Sequence, residues 1–412
     1  MASELIIRGG RADQAVVADL LAPGGGALMQ RHRPLISRLV ADATAPRLDQ
    51  YAQAAAVAGI PFLVDPLTHL LQGPLREEDP WAALPYGRPD AANPSDLRAA
   101  EADHFVEACV RYQIEQGATT VIPPYAYSDS PTSPWFERSV EWLGTTARAM
   151  RRLNLSLPVV PVFCGAWRRF AADEAWDSGL GRFLRGALDI GPSAVALCLS
   201  PAGDGKEHYH KLYQVFDAAT RAKRTTGTTI VAWRQGVYGG ALVAAGLDGY
   251  ETGIGTSERA NLAANIQRRK PRPDDEARAR GGASANVFLE PFGRSVPSRV
   301  ATPLLANLPF RAKVGCTDPR CCPQGVESTL GRLRRAHAVR ARARQLAELD
   351  SMPASEWRLN HIGQAAKEAE TLAVQANRIL EANGLRERIQ TPGFAALAAV
   401  TDEFKRRTPS AA

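Results

Sequence analysis

The chain has 412 residues, of which 45% are hydrophobic and 23% charged, a composition typical of a soluble enzyme. Its formal net charge is +7, and only seven of its 50 basic residues are lysines, so arginine dominates and modestly favours a polyanionic partner. No run of 18 apolar residues and no secretory signal occurs, and six cysteines are too few for a disulfide scaffold, so we expect a cytoplasmic protein with reduced thiols.

Short apolar, β-branched runs alternate with helical stretches along the chain, which is the pattern of parallel strands joined by crossover helices. We predict eight strands, at residues 27–32, 60–65, 118–124, 157–164, 194–200, 228–234, 248–254 and 286–292. The pattern predicts an α/β fold, the (β/α)8 TIM barrel, whose active site lies at the carboxyl ends of the strands. A doubly wound open sheet is the alternative, but no G-x-G-x-x-G follows an early strand.

Helical periodicity predicts crossover helices at 101–116 and 135–153 and, after Cys322, further helices at 325–349, 355–383 and 394–406. Residues 66–98 and 269–285 are rich in proline and charge and are predicted as long loops, either functional lids or disordered. We therefore divide the chain into a barrel (1–310), a Cys/His segment with a basic helix (311–350) and C-terminal helices (351–412).

Several predicted strands contain, end on or are directly followed by residues capable of chemistry: Asp65, Tyr125, Tyr127, Arg234, Gln235, Glu251 and Glu290. A carboxylate at the tip of an apolar strand is partly desolvated, which raises its pKa and suits it to nucleophilic or general-base work. The alternative roles are a helix cap or turn for Asp65 and an ion pair with Arg294 or Arg299 for Glu290. His208 and His210 form an H-x-H pair, but no later strand supplies a histidine, so a solvent-facing or substrate-loop role is favoured over a metal.

A cysteine and histidine cluster follows the last predicted strand: Cys316, Cys321, Cys322 and His337. Thiolates and imidazole are the ligands that tetrahedral zinc prefers, so the cluster predicts a structural zinc site. The alternative is that three reduced cysteines fall in a loop and that His337 is an exposed helical residue. The helix around it is rich in arginine, including Arg334, Arg335 and Arg342, which form either a solvated face or a strip that contacts phosphates.

In their order along the chain these features resemble the tRNA-guanine transglycosylase superfamily, which includes queuine and archaeosine tRNA-ribosyltransferases and a relative that inserts 7-deazaguanines into DNA. The matching residues would be Asp65, the segment from Gly253 to Glu258, Glu290 and the cysteine and histidine cluster. The resemblance implies a pentosyltransferase that exchanges a guanine-type base in DNA or RNA. Its partners would be that nucleic acid and a free purine or 7-deazapurine base, with a homodimer or an accessory subunit as a further expectation.

The same resemblance implies the residue roles. Glu290 would be the nucleophile that forms a glycosyl-enzyme and Asp65 the base, although the two roles can be exchanged. Tyr125 or Tyr127 would stack on the base, Gly253 and Gly255 would let backbone amides approach it, and Arg234, Gln235 and Glu258 would complete the substrate site. Zn²⁺ would brace the segment beside the barrel mouth.

Two other functions stay open. One is a barrel lyase or hydrolase for a small anionic metabolite, in which Asp65, Arg234 and Glu290 handle the substrate. The other is a barrel without catalysis that serves as a nucleic-acid-binding subunit.

Overall fold

The computed structural model describes residues 2–23, 36–76, 78–256, 258–270 and 285–407. The strands are β1 Glu4–Gly9, β2 Arg38–Asp42, β3 Phe62–Asp65, β4 Val162–Ala166, β5 Val195–Ser200, β6 Ile230–Ala232, β7 Gly249–Gly253, β8 Asn286–Leu289 and β9 Arg294–Pro297. The helices up to residue 269 are α1 Gln14–Leu21, α2 Leu48–Ala58, α3 Ala99–Glu115, α4 Pro134–Arg152, α5 Trp167–Phe170, α6 Leu180–Leu188, α7 Tyr209–Thr226, α8 Gly239–Ala244 and α9 Leu262–Arg269.

The later helices are α10 Ser298–Ala306, α11 Leu308–Val314, α12 Val326–Leu330, α13 Arg334–Ser351, α14 Ser355–Ala382 and α15 Pro392–Arg407. Short 3-10 turns occur at Thr68–Gln72, Pro94–Asp96, Asp173–Ala175 and Glu290–Phe292. The predicted strand at 27–32 and most of the predicted loop at 269–285 lie outside the described residues.

Seven strands form one parallel sheet in the order β3-β2-β1-β7-β6-β5-β4. The two edges of this sheet are joined by parallel bridges from Leu63 to Thr120 and from Val121 to Val159. Residues 120–121 therefore occupy the fourth of eight strand positions, and the sheet closes into a ring. With the crossover helices outside, the predicted (β/α)8 barrel is confirmed.

The strands that form the barrel differ from the predicted ones at the beginning and at the end of the series along the chain. β1 and β2 are the first and second barrel strands, and neither was predicted. Residues 286–289 do form a strand, β8, but it pairs antiparallel with β9 in a separate two-stranded sheet, so its prediction as the eighth barrel strand is wrong. The physical reason is that β1 and β2 each contain only three apolar residues, bounded by Glu4 and Arg8 in β1 and by Arg38 and Asp42 in β2, so the apolar run that sequence patterns detect is too short to stand out.

Alternation along the strands determines which side chains enter the barrel. Ile6, Val40, Leu63 and Val231 form part of a buried layer inside the ring, while Leu5, Ile7 and similar residues pack outward against the helices. A step of two residues beyond this inner layer reaches Arg8, Asp42 and Asp65 at the carboxyl ends of their strands. Charged side chains are thus carried into the mouth of the barrel directly above an apolar floor.

The C-terminal helices pack on the barrel and on the β8–β9 hairpin. The helix predicted at 325–349 is two helices, α12 and α13, because the chain leaves helical geometry at Gly331, whose ψ is −145°. The helix α14 buries the predicted stripe of leucine and alanine residues, among them Leu359, Ala366, Ala373 and Leu380. Ser3, beside β1, donates hydrogen bonds to the carboxylate of Asp350 at the end of α13.

Candidate active site and metal centre

Three carboxylates converge on the guanidinium of Arg8, whose side chain is 2% exposed: Asp42 and Asp65, at the carboxyl ends of β2 and β3, and Glu251, in the middle of β7. Arg8 Nη1 lies 2.5 Å from Asp42 Oδ1 and 2.8 Å from Asp65 Oδ2, and its Nε donates to Glu251 Oε1 at 2.9 Å. Its guanidinium also lies over the ring of Trp233, 5.1 Å from the centroid. In the described residues, the centre of this acidic group is therefore occupied by a cation of the protein itself.

A second guanidinium, that of Arg234, reaches the same carboxylates from the end of β6. Its Nη2 lies 3.2 Å from Asp65 Oδ2 and 3.6 Å from Asp42 Oδ1, and its backbone N–H donates to Glu251 Oε2 at 2.9 Å. Arg234 has φ of +55°, in the left-handed region that non-glycine residues rarely adopt. Such backbone strain at a strand end is found most often at functional sites, where the surrounding contacts hold it.

Asp65 is fully enclosed, with 0% exposure. The hydroxyl of Tyr125 donates to its Oδ1 at 2.8 Å, and the backbone N–H of Leu67 donates to the same atom at 3.0 Å. Burial raises the pKa of Asp65, but attraction to Arg8 and Arg234 outweighs it and holds the pKa well below the usual range. Asp65 is therefore ionised at neutral pH and is a weak proton acceptor.

We expect this depressed pKa to make the protein sensitive to acid. The unfolded carboxyl titrates near 3.9, so the stabilisation from ionised Asp65 is fully present above about pH 5 and is lost as the pH falls through the folded pKa. Urea unfolding between pH 6 and pH 3 measures the slope. Asp65→Asn is expected to flatten it, whereas Asp173→Asn, at a carboxylate that is 85% exposed, is expected to keep it. Equal slopes in the wild type and Asp65→Asn would contradict the assignment.

His69 lies beside this cluster in the 3-10 turn that follows β3. It is 0% exposed, its ring stacks on that of Tyr125 at 5.7 Å, and its Nε2 lies 3.3 Å from Asn265 Nδ2. Burial and then the charge of Arg234 lower the pKa of His69 to about 3. His69 is therefore neutral at physiological pH, and its Nδ1 has no hydrogen-bond partner in the described part of the chain.

A cavity of about 710 Å³ opens over the strand ends. Asp42 and Arg234 line it, and they belong to the buried cluster below. Three further arginines line it, Arg259, Arg268 and Arg269, of which Arg269 pairs with Asp79 at 2.8 Å. Asp42 is 28% exposed, whereas Asp65 and Glu251 are fully enclosed, so Asp42 is the carboxylate of this cluster that solvent and a ligand can reach.

The structure brings some of the predicted substrate residues together here and places others nearby. Asp65, Tyr125 and Arg234 are in direct contact, as described above. Gln235 is buried, and its Nε2 donates to the carbonyl of Leu199 at 3.2 Å. The remaining predicted residues lie around the mouth. Tyr127 is half-buried and its N–H donates to Gln72, and Glu258 accepts a hydrogen bond from Ser295. Gly253 ends β7, and Gly255, with φ of +72°, lines the cavity.

Glu290 is not part of this cluster. It begins the 3-10 turn after β8, outside the barrel sheet, and its Oε2 accepts from Arg344 Nη2 at 2.8 Å. The ion pair considered as its alternative role therefore exists, but with Arg344 rather than with Arg294 or Arg299. Arg299 pairs instead with Glu387.

The arginines of α13 do not form one exposed strip. Arg342 is 2% exposed, its Nη2 lies 2.8 Å from Glu258 Oε1, and its guanidinium covers the ring of Phe288 at 4.3 Å. Arg335 pairs with Asp13 at 3.2 Å, and Arg334 donates to the carbonyl of Gly331. The expectation that Arg342 faces a nucleic-acid backbone is wrong because its charge is buried against Glu258 inside the protein.

The cysteine and histidine cluster is assembled as predicted from the sequence spacing. The ligand atoms of Cys316, Cys321, Cys322 and His337 all lie within 4.8 Å of one another. Cys321 Sγ is 3.8 Å from Cys322 Sγ, and His337 Nδ1 is 3.3 Å from the first sulfur and 3.5 Å from the second. Both adjacent cysteines are buried, and their backbone N–H groups donate to the same carbonyl, that of Asp318. The cluster could hold a metal ion.

His337 also has an outer contact that orients its ring. Its Nε2 lies 3.1 Å from the backbone carbonyl oxygen of Phe288 in β8. A hydrogen bond there places the proton on Nε2 and leaves Nδ1, the atom that faces the sulfurs, as the free ligand. The alternative in which His337 is an exposed helical residue is excluded, because it is 2% exposed.

Comparison with known proteins gives distant structural matches. No protein-family model and no curated protein matches the chain. A putative lyase/mutase from Burkholderia cenocepacia J2315 is 18% identical with a TM-score of 0.38, over 68% of this chain and 85% of that chain. The 2,3-dimethylmalate lyase, a PEP mutase/isocitrate lyase superfamily member, is 13% identical with a TM-score of 0.28, over 56% and 66%. The YdjI aldolase from Escherichia coli K12 is 9% identical with a TM-score of 0.34, over 86% and 92%. Likenesses this distant assign no activity to the chain.

The predicted membership of the tRNA-guanine transglycosylase superfamily is wrong. The matching structures just named are lyases, mutases and aldolases rather than transglycosylases. In addition, Glu290, the implied nucleophile, lies outside the cluster that contains Asp65. The transferase, nucleic-acid-binding and 7-deazaguanine assignments depended on that resemblance, so they are wrong as well.

Three predictions are unaffected by this correction. The division into three segments, a homodimer or accessory subunit, and a cytoplasmic location all stay predictions. Across the described ranges, none of the helices combines the length and the apolar character that crossing a membrane requires.

Proposed function

We propose that the protein is a barrel enzyme, a lyase or hydrolase, that acts on a small anionic metabolite in the cavity over the strand ends. The observation that carries the proposal is the set of charges around this cavity. Arg234, whose backbone is strained, lines the cavity at its floor. Arg259, Arg268 and Arg269 line its walls. Guanidinium groups bind carboxylate and phosphate through paired hydrogen bonds, so the class of substrate is a carboxylate or a phosphate ester.

The same geometry distributes the catalytic roles. Arg234 would hold the substrate anion and stabilise negative charge that develops during the reaction, because its guanidinium is already fixed by Asp65 and the barrel wall. Asp42 would transfer the proton, since it is the carboxylate of the cluster with solvent exposure. Asp65 and Glu251 would act as positioning residues, which keep Arg8 and Arg234 in place.

Anion binding and turnover test the proposal together. Thermal unfolding is measured with oxalate, malonate and phosphate, and we expect at least one of them to stabilise the wild type but not Arg234→Gln. With a substrate found by screening small carboxylates and phosphate esters, Asp42→Asn is expected to lower kcat by about 10²- to 10⁴-fold. The matched control, Asp173→Asn, removes an exposed carboxylate that does not line this cavity and should leave turnover unchanged. Wild-type turnover in Asp42→Asn, or stabilisation by anions that persists in Arg234→Gln, would contradict the proposal.

We also propose that the cysteine and histidine cluster holds a structural Zn²⁺. Zinc with tetrahedral geometry and Zn–S bonds of about 2.3 Å places two sulfur ligands about 3.8 Å apart, which agrees with the 3.8 Å between Cys321 Sγ and Cys322 Sγ. Bound there, zinc would join the 316–322 turn to α13 and, through Phe288, to β8. Elemental analysis of protein purified under reducing conditions should find about one zinc per chain. Protein that is fully folded without zinc or another divalent metal would contradict the assignment.

A further inference from the structure

A second cavity, of about 310 Å³, lies between the barrel and the C-terminal helices. It has no described lining residue in common with the cavity over the strand ends. Its walls come from the loop before α8, from the turn after β8 and from helices α13, α14 and α15. They are mainly apolar and include Val237, Phe292, Leu346, Ile362, Phe394 and Leu397. A mainly apolar cleft of this size with few polar groups is typical of a small-molecule site.

One of the polar groups in this cavity is a buried cation without a counterion. Arg294 lines the cleft, is 5% exposed, and has its guanidinium 4.5 Å from the centre of the Phe394 ring. Among the described residues no carboxylate lies within ion-pair distance of it, and its Nε and Nη2 have no hydrogen-bond partner. The nearby carboxylates are engaged elsewhere: Glu207 accepts from Tyr238 and from backbone amides, and Glu258 accepts from Ser295 and lies against Arg342.

The protein holds this guanidinium in place from two sides. A Cβ atom at Gly205, whose φ is +80°, would lie within 3 Å of the guanidinium, so the backbone there packs directly on Arg294. The ring of Phe394 also packs on the guanidinium. Burial lowers the pKa of Arg294, but arginine stays charged at neutral pH. Burying a charge without a partner costs desolvation free energy. A ligand that supplies the opposite charge offsets this cost, which strengthens its binding.

We propose that this cleft binds a small apolar monocarboxylate, such as a medium-chain fatty acid, with its carboxylate on Arg294 and its hydrocarbon chain along Leu346 and Ile362. The orientation follows from the charges at the opening. Glu348 and Glu368 lie at the exposed rim, so the anionic end is repelled there and is attracted to Arg294 inside. The proposal does not depend on the reaction at the strand ends.

Calorimetric titration with octanoate, 1-octanol and octylamine tests this ligand class. We expect octanoate to bind at least about tenfold more tightly than 1-octanol, because it adds a charge-assisted hydrogen bond to Arg294, and octylamine to bind weakest. In Arg294→Met, the preference for octanoate over 1-octanol should disappear. The melting temperature of this variant without ligand should stay the same or rise, because an apolar side chain replaces an uncompensated charge.

A second variant separates loss of the site from loss of the fold. Ala365 lines the cleft from the exposed side of α14, so Ala365→Trp fills the opening without touching Arg294. It should keep the wild-type melting temperature and reduce octanoate affinity about tenfold or more. The proposal is overturned if octanoate does not bind the wild type, if octanol and octylamine bind as tightly as octanoate, or if neither substitution changes the affinity.

Discussion

Replacing Arg8 by methionine is expected to destabilise the protein by about 3–5 kcal/mol, the typical loss when one partner of a buried ion pair is removed. Methionine fills much of the space, but Asp65 and Glu251 lose their main counter-charge inside a barrel that water does not reach. Arg234 alone then faces three carboxylates. Urea unfolding followed by far-UV circular dichroism measures the change in the free energy of unfolding.

The matched control is Arg182→Met. Arg182 also makes two short contacts with a carboxylate, Glu137, but both side chains are about 40% exposed. Exposed ion pairs contribute at most about 1 kcal/mol, so this variant should unfold nearly as the wild type does. If Arg8→Met lost no more stability than Arg182→Met, the strand-end charges would not form the tightly coupled network that the geometry indicates.

Replacing Cys321 by serine is expected to abolish zinc binding and to lower the free energy of unfolding by more than about 4 kcal/mol. Cys321 Sγ lies 3.3 Å from His337 Nδ1 and 3.8 Å from Cys322 Sγ, so it contacts two of the other proposed ligands directly. Serine is a poor zinc ligand, and the contacts that then hold the turn at 316–322 to α13 are partly exposed ones from Arg340 and Arg344. Elemental analysis gives the zinc content, and limited proteolysis with peptide mapping shows whether cleavage moves to residues 311–333.

The control is Cys109→Ala, which removes another buried thiol, in α3 of the barrel. It should keep one zinc per chain and the wild-type cleavage pattern. Zinc content that is equal in Cys321→Ser and Cys109→Ala would show that the ion, if present, binds elsewhere.

The class of fold could be predicted from the sequence because four of the barrel strands, β3 to β6, consist mainly of apolar residues. Residues 195–200 and 230–232 are examples, and periodic helices separate them. β1 and β2 were missed because each has only three apolar residues, followed directly by Arg8 in β1 and by Asp42 in β2. Residues at the functional end of a barrel strand thus weaken the signal by which the strand is recognised.

Prediction of the candidate site was limited in the same way. Asp65 and Arg234 were identified because their strands were identified, whereas Arg8, Asp42 and His69 were not. A charged residue directly after a short apolar run, as in Leu5-Ile6-Ile7-Arg8, was the available signal. The pairing of these residues depends on which strands are neighbours around the ring, and spacing along the chain does not contain that information. Glu290 shows the converse error, since its apolar context belongs to a hairpin outside the barrel.

The position of β1 in the ring has a consequence for biosynthesis. β1 pairs with β2 on one side and with β7 on the other, so during synthesis the second edge of β1 stays uncovered until residues 249–253 have been made. The hydrogen bond from Ser3 to Asp350 forms later still, because Asp350 is synthesised about a hundred residues after β7. Contacts so far apart in sequence slow folding, and the open edge of a nascent sheet invites pairing with other chains. Charged residues near the ends of β1 and β2 shorten the apolar part of that edge. Residues that line the barrel mouth in the folded protein therefore also protect the incomplete chain from aggregation.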